Sequence, residues 1–212
     1  QPLLYRAMAY SQYENKKFDE ALESINTYFN KTTDKTKLTV EDLSYAGKIY
    51  ASLAKNNEAQ KAEYIAKAHE FFAKAIAVDS NADKRNTYNE IGNIFRNADN
   101  FEGASMYYNK IIAANPKAST FDYFNAGYAT FLADQPNEAL NIFTKMAEVY
   151  PDEPVAVYWQ ATSAAALDPK AIDGKAEPFY TKWLAFEKEG YNKSDKDKIR
   201  SYSYLLMYNM NK

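Results

Sequence analysis

The chain has 212 residues, of which 46% are hydrophobic and 25% are charged, with a formal net charge of −2. Its 26 basic and 28 acidic residues are interspersed, so the sequence carries no electrostatic footprint for nucleic acid or for an anionic membrane. The lack of cysteine excludes a disulfide, a thiolate metal site and a cysteine nucleophile. No stretch approaches the roughly 20 consecutive apolar residues of a membrane-spanning helix.

Two apolar patterns near the start of the chain predict a helix pair over residues 2–30, with a polar turn between the helices. Residues 31–39, dominated by Lys and Thr, follow as a polar insertion. We interpret this insertion as a solvated connector in preference to a recognition loop. The apolar residues are Tyr5, Met8 and Ala9 in the first helix and Ala21, Ile25 and Tyr28 in the second.

A second helix pair is predicted over residues 40–80, where the apolar pattern resumes at Leu43, Ala46 and Gly47. Residues 58–67 are rich in strong helix formers, so they are expected to lengthen the second helix of this pair. His69 is the only histidine. No nucleophile or carboxylate partner accompanies it in the sequence, which favours a surface or packing role over catalysis.

Residues 85–154 repeat themselves at an offset of 35 residues, with the size class of the side chain kept at five positions. A period in the range of about 20 to 50 residues is typical of stacked supersecondary units. Within each unit the apolar residues follow a helical period, which predicts helix pairs over 85–118 and 120–153. Tyr88, Gly92, Ala104, Tyr108 and Pro116 return as Tyr123, Gly127, Ala139, Phe143 and Pro151.

The small residues Gly92 and Ala104 stand one on each helix, so that two antiparallel helices can approach closely between aromatic rings. Pro116 then ends the second helix. This order of large, small, aromatic, small, aromatic and proline resembles the tetratricopeptide repeat (TPR) family. The sequence departs from the family pattern by one extra residue per unit and by Ile111 in place of the usual Ala.

A fifth pair is predicted over residues 154–189 and a terminal helix over 194–211, opened by Ser194 as its N-cap. Asp168, Asp173 and Gly174 in the connection of the fifth pair share part of a calcium loop. Because the alternating ligands and the terminal Glu are missing, a capped turn is predicted there and no metal site. The unbroken apolar pattern of the last helix favours a sixth repeat cut short over a simple cap.

The predicted fold is therefore all-α, in a single domain over residues 1–212. The resemblance implies a right-handed superhelical array of antiparallel helix pairs, the TPR solenoid, with about five repeats and a terminal helix. The repeats lie near 2–30, 40–80, 85–118, 120–153 and 154–189.

The resemblance also implies a concave groove lined by the first helix of each pair. Three asparagines in the third pair form one row of amides that can donate to and accept from an extended peptide backbone. The next first helix places an apolar stripe beside this row, which gives a place to the unusual content of 19 Tyr and 12 Phe residues. The alternative is internal packing of these rings under a neighbouring helix or a second copy. The predicted groove residues are Asn86, Asn89, Asn93, Arg96, Phe121, Phe124, Tyr128, Phe131 and Tyr158.

The predicted function is a non-enzymatic scaffold that binds a protein or an extended peptide, because the sequence contains no phosphate-binding glycine loop, metal-ligand spacing or activated nucleophile. No cofactor, metal or nucleic-acid partner is expected. The family's clamp for a C-terminal carboxylate is disfavoured, since Glu90 occupies a clamp position.

One alternative is a structural subunit whose aromatic face is a permanent oligomer or envelope-complex interface, and a carbohydrate-binding module ranks lower. The residue usage is typical of a bacterial protein of the cytoplasm or periplasm, with the compartment and oligomeric state open.

Overall fold

The computed structural model describes residues 1–115 and 118–212, and every regular element within these ranges is helical. Pro116, the predicted end of the sixth helix, lies outside the described residues. Two 3-10 turns, Lys35–Lys37 and Glu58–Gln60, accompany the α-helices. The α-helices are α1 (Pro2–Glu14), α2 (Phe18–Lys31), α3 (Val40–Asn56), α4 (Lys61–Val78), α5 (Arg85–Asn97), α6 (Phe101–Ala114), α7 (Thr120–Leu132), α8 (Pro136–Val149), α9 (Pro154–Ala166), α10 (Glu177–Ala185) and α11 (Asp195–Asn211).

The chain divides into two compact units, Gln1–Asn100 and Phe101–Lys212. In the first unit α1 packs against α2 and α3 packs against α4, while α2 also contacts α3. In the second unit α7 packs against α8 and α9 against α10, and α8 also contacts α9. Short connections between packed neighbours make the helices of each pair antiparallel. The prediction of an all-helical array of helix pairs is confirmed.

Glycine allows the helices of two pairs to approach closely. A Cβ atom built on Gly47 of α3 would lie 2.6 Å from the ring of Phe72 on α4. A Cβ on Gly127 of α7 would lie at the same distance of 2.6 Å from the ring of Phe143 on α8. Both phenylalanine rings are fully buried. In both pairs, glycine is therefore needed at this position for the phenylalanine ring to fit between the two helices.

The additional residues of the longer second pair lie mainly in its helices. Its second helix α4 has 18 residues, compared with 14 in each of α2, α6 and α8. The predicted lengthening of the second helix is confirmed for residues 61–67, whereas residues 58–60 form a 3-10 turn, and α3 with 17 residues is extended as well. Only the 3-10 turn Glu58–Gln60 and one further residue separate α3 from α4.

Three of the turns that follow the first helix of a pair contain a residue in the left-handed φ region. These residues are Lys16, Asp99 and Asp134, with φ values of 60°, 55° and 59°. In each case the next residue donates its N–H to a carbonyl five positions back, over 2.9 to 3.2 Å. This hydrogen bond closes the helix end, and it is formed although none of the three residues is glycine.

In each unit an aspartate connects one first helix to the next through a hydrogen bond from a tyrosine. Asp42 of α3 is fully buried, and its Oδ1 accepts a hydrogen bond from the Tyr10 hydroxyl of α1 at 2.7 Å. The Arg6 Nε lies 2.6 Å from the same oxygen. In the second unit the hydroxyl of Tyr158 on α9 donates in the same way to Asp197 at the start of α11.

The hydrogen bonds around Asp42 decide its charge state. Burial raises the pKa of this carboxyl, whereas hydrogen bonds from Thr39 and Tyr10 and the positive charge of Arg6 lower it. The lowering effects win, so the pKa of Asp42 lies below its ordinary value. Asp42 is therefore ionised in the folded protein at neutral pH.

Candidate functional site

The position of α7 is set by a capping box. The Ser119 side chain accepts a hydrogen bond from the N–H of Asp122 at 3.3 Å, and the Asp122 carboxylate accepts one from the N–H of Ser119 at 2.9 Å. From this start, Tyr123 and Gly127 fall on the buried side of the helix. Phe121 consequently lies on the exposed side of α7, whereas Phe124 and Phe131 lie at the edge of the buried side and pack in part against a core cluster that includes Phe143 of α8.

Three predicted groove residues of α7 gather around one tryptophan, Trp159 of α9. Tyr128, Phe131 and Phe124 meet the indole edge-on, with ring centroids 5.0, 5.5 and 6.2 Å away. Phe124 also stacks on Tyr128 at 5.6 Å. All four side chains are half-buried, so each keeps part of its ring at the surface. We call Phe124, Tyr128, Phe131 and Trp159 the Trp159 cluster.

Phe121 extends this aromatic surface toward the start of α7. Its side chain is 60% exposed, the highest value among the predicted groove residues for which a fraction is given. It lines a hollow of about 520 Å³ in the second unit together with Phe124, Met146, Pro154 and Val155. We call this feature the α7–α9 hollow. Residues 188–191 form its opposite wall.

The wall of the hollow is fastened to the rest of the second unit. Tyr191 accepts a hydrogen bond from the Trp183 Nε1–H at 3.1 Å, and its own N–H donates to the Lys188 carbonyl at 3.1 Å. The Lys188 ammonium forms an ion pair with Glu153 at 2.7 Å. This wall could not be predicted from the sequence, because residues 187–191 have no apolar period.

Tyr158 lies inside the second unit. It is 5% exposed, and its hydroxyl donates to Asp197 and accepts a hydrogen bond from Arg200 at 3.1 Å. Burial together with the Asp197 hydrogen bond raises its pKa to about 12. Its hydroxyl thus connects α9 to α11, and this residue is not part of the candidate surface.

Trp159 is the member of the cluster that the sequence analysis missed. Nine of the 13 residues of α9 are buried, so an apolar period does not single out one face of this helix. The pattern favoured Tyr158, the immediate neighbour. The useful signal was size: Trp159 is one of two tryptophans in the chain, and its ring also stacks on Phe143 at 5.7 Å.

The predicted amide row lies on α5, in the first unit. Asn86 is exposed, while Asn89, Asn93 and Arg96 are half-buried. Glu90 on the same helix forms an ion pair of 2.7 Å with Lys48 of α3. The row and the Trp159 cluster belong to different units, so each is treated as a separate surface.

The arrangement of the helices is similar to that of known protein structures. No family model and no curated protein matches the sequence. The structure resembles the C-terminal part of a TPR repeat-containing protein from Cytophaga hutchinsonii, with 28% identity and a TM-score of 0.62, over 99% of this chain and 76% of that one. The chain has a TPR-like fold. MamA from Desulfovibrio magneticus RS-1, residues 41 to the end, is similar at 17% identity and a TM-score of 0.50, over 90% of this chain and 97% of that one.

Polar groups elsewhere in the TPR-like chain have structural partners. The Asp168 carboxylate accepts hydrogen bonds from the Tyr204 hydroxyl at 2.7 Å and from the N–H groups of Ile172 and Lys175 at 2.9 and 3.2 Å. Burial raises the pKa of Asp168, but these hydrogen bonds lower it by more. The predicted capped turn is confirmed. The ring of His69 stacks on Phe95 at 4.4 Å, which agrees with a packing role.

Within the described ranges, no helix of the TPR-like chain is both long and apolar enough to cross a bilayer.

Proposed function

We propose that the TPR-like chain is a non-enzymatic protein-interaction scaffold that binds a protein or an extended peptide through Phe121 and the Trp159 cluster. The observation that carries the proposal is the set of rings on α7 and α9 that stay partly open to solvent while the other face of α7 is buried against its neighbours. Apolar rings that stay exposed next to a buried helix face are typical of a binding surface. Rigid aromatic rings are also the side chains that most often supply binding energy at interfaces.

The geometry of the cluster favours a preformed surface. Its edge-on contacts with Trp159 fix the orientation of Tyr128 and Phe131 before any partner arrives. Binding therefore costs little conformational entropy, because these side chains are already ordered. The half-buried state of the rings means that a partner covers the remaining apolar area, which is the usual source of affinity.

The amide row of α5 is a second proposed contact surface, on the first unit. Asn86, Asn89 and Asn93 carry both a donor and an acceptor, which suits the backbone of an extended peptide. Arg96 adds a positive charge one turn further along the same helix.

Photocrosslinking locates the surface even when the identity of the partner is not known. p-Benzoylphenylalanine at position 121 or 131 is expected to form an adduct with the same protein in cells that make the TPR-like chain. Position 132 is the matched control, because Leu132 lies on the same helix and is 37% exposed. Equal crosslinking at position 132 and at positions 121 and 131 would contradict the proposed surface.

A double variant then tests the energetics. Phe124→Asn with Phe131→Asn is expected to weaken binding of the crosslinked partner at least about tenfold, since each substitution removes a partly buried ring from the interface. Leu132→Asn serves as the control in the same binding assay. Circular dichroism decides the interpretation: loss of helicity in the double variant would show that the rings are core residues and not a binding surface.

A second candidate function, a structural assembly subunit, is favoured by the terminal helix. Ile199, Tyr202, Leu206 and Met210 follow a helical spacing on the face of α11 opposite Tyr204, and each is at least 60% exposed. Sedimentation equilibrium of the isolated chain distinguishes the two functions. A stable oligomer at micromolar concentration that dissociates in the Leu206→Glu variant supports the structural role. A monomeric chain at the same concentration supports the binding scaffold.

A further inference from the structure

We infer that the α7–α9 hollow selects an extended peptide in which a large apolar side chain is flanked by lysine or arginine. The inference rests on the proposed function and names the chemistry of the partner. It follows from the two kinds of surface that meet at the hollow, an apolar floor and an acidic rim.

The floor of the hollow is apolar and well ordered by packing. Met146 is fully buried beneath it, while Pro154 is buried and Val155 is half-buried at the start of α9. Phe121 stands over this floor with 60% of its side chain exposed. A volume of about 520 Å³ is within the range of about 300–1,000 Å³ that is common for ligand pockets. An aliphatic or aromatic side chain placed there removes apolar surface from water on several sides.

The charges at the rim favour a cationic neighbour of that side chain. Lys188 is the only cation among the described residues that line the hollow, and it is already paired with Glu153 at 2.7 Å. Glu189 lines the hollow as well, and no cation of the described part of the chain pairs with it. The rim thus carries one uncompensated carboxylate. It attracts a lysine or arginine of the ligand and repels a carboxylate or a phosphate.

The carboxylate is held on a fixed wall. The Trp183–Tyr191 and Lys188–Glu153 contacts anchor the segment on both sides of Glu189. Gly190 directly follows, with a φ of 76° that bends the backbone as glycine allows. Because these contacts already order the segment, a cationic ligand gains the charge interaction at a small entropic cost.

The test uses three nonapeptides of Gly and Ser that carry a central Phe flanked by two Lys, two Glu or two Ser residues. Each is titrated into the ¹⁵N-labelled full chain, and binding is followed from the amide shifts of residues 187–191. We expect the Lys-flanked peptide to bind about three- to fivefold more tightly than the Ser-flanked one, the size of one exposed ion pair, and the Glu-flanked peptide to bind most weakly. Raising the salt concentration is expected to narrow these differences.

Charge reversal on the wall provides the matched comparison. Glu189→Lys is expected to abolish or invert the order of the three peptides. Glu187→Lys makes the same change in net charge two residues away, at an exposed residue that does not line the hollow, and is expected to keep the order. An unchanged order in Glu189→Lys, equal affinity for all three peptides, tighter binding of the Glu-flanked peptide, or no shifts with any of them would overturn the inference.

Phe121→Ser separates this inference from the proposed function. If the variant loses binding of all three peptides while the wild type shows no preference among them, the aromatic surface still binds peptides and only the charge selection is wrong. The proposed function itself fails independently, when positions 121 and 131 crosslink no partner in preference to position 132.

Discussion

The two units each place aromatic rings on their first helices, but the rings have different surroundings. In the first unit Tyr10 stacks on Tyr45 with centroids 3.8 Å apart. The hydroxyls of both rings donate to carboxylates of the same unit, Tyr10 to Asp42 and Tyr45 to Glu14. In the second unit Phe121, Phe124 and Phe131 have no polar atom to engage, and they stay partly open to solvent.

The difference shows that the number of aromatic residues does not locate a binding surface. A tyrosine brings a hydroxyl that can fasten the ring to its own unit, as Tyr10 and Tyr158 demonstrate. A phenylalanine in a comparable place is held only by packing, and its exposed face remains available. On the first helices, a ring whose hydroxyl is bound within its own unit is therefore an internal ring, as at Tyr10 and Tyr158.

The largest expected effect breaks the first unit's network at Asp42. Asp42→Ala leaves the Arg6 guanidinium and the Tyr10 hydroxyl without their buried acceptor, so the free energy of unfolding is expected to fall by about 3 kcal/mol. Urea denaturation followed by circular dichroism measures the loss. Glu41→Gln is the control, since Glu41 is 62% exposed and lies 3.4 Å from Arg6. A similar loss in both variants would assign the effect to surface charge and not to the buried network.

A second pair of variants sharpens the contrast between closed and open rings. Tyr45→Ser removes the stack on Tyr10, an edge contact with Tyr13 at 5.6 Å and the hydrogen bond to Glu14, so a loss of about 2 kcal/mol is expected. Phe121→Ser removes a mostly exposed ring and is expected to change stability by less than about 0.5 kcal/mol. Thermal unfolding of both variants gives the comparison, and equal losses would mean that Phe121 is a packing residue.

Acid titration tests the charge of Asp42 itself. Its pKa is lowered in the folded state, so the stability it contributes is present above the unfolded value of about 3.9 and is lost as the pH falls through the folded pKa. Below about pH 4, the urea midpoint of the wild type is therefore expected to decrease more steeply with falling pH than that of Asp42→Asn. Parallel curves for the two proteins would show that Asp42 does not contribute in this way.

The smallest effect concerns the first-unit turn at Lys16. Lysine is unfavourable at the φ of 60° found there, and glycine adopts this conformation without strain. Lys16→Gly is expected to raise the free energy of unfolding by about 0.5–1 kcal/mol. Lys17→Gly is the control, because Lys17 has a φ of −91° and gains no relief. A rise in melting temperature for both variants would exclude backbone strain as the cause.

Local spacing explains what the sequence could predict. The helix pairs are predicted from apolar residues three and four positions apart, and Gly47 and Gly127 occupy the small position of that pattern. The Asp42 network was not predictable in this way. Its partners come from 32 and 36 residues earlier in the chain, and an acidic residue at the third helical position is also what an ordinary capping box contains.

The candidate site was predictable for α7 and not for its surroundings. The spacing of Phe121, Phe124, Tyr128 and Phe131 predicts an apolar stripe along α7 next to its buried side, which needs only a helical period. Trp159 was missed because α9 is buried on most sides, so that no single face stands out. Residues 187–191 have the composition of a solvated linker, and their place beside the hollow depends on tertiary contacts.

The tyrosine–aspartate tie recurs with a different spacing along the chain, 32 residues between Tyr10 and Asp42 and 39 between Tyr158 and Asp197. The intervening helix and its loops thus vary by seven residues while the same two side chains still meet. Such a fixed fastening point lets insertions and deletions accumulate between successive first helices during evolution without shifting the alignment of one against the next.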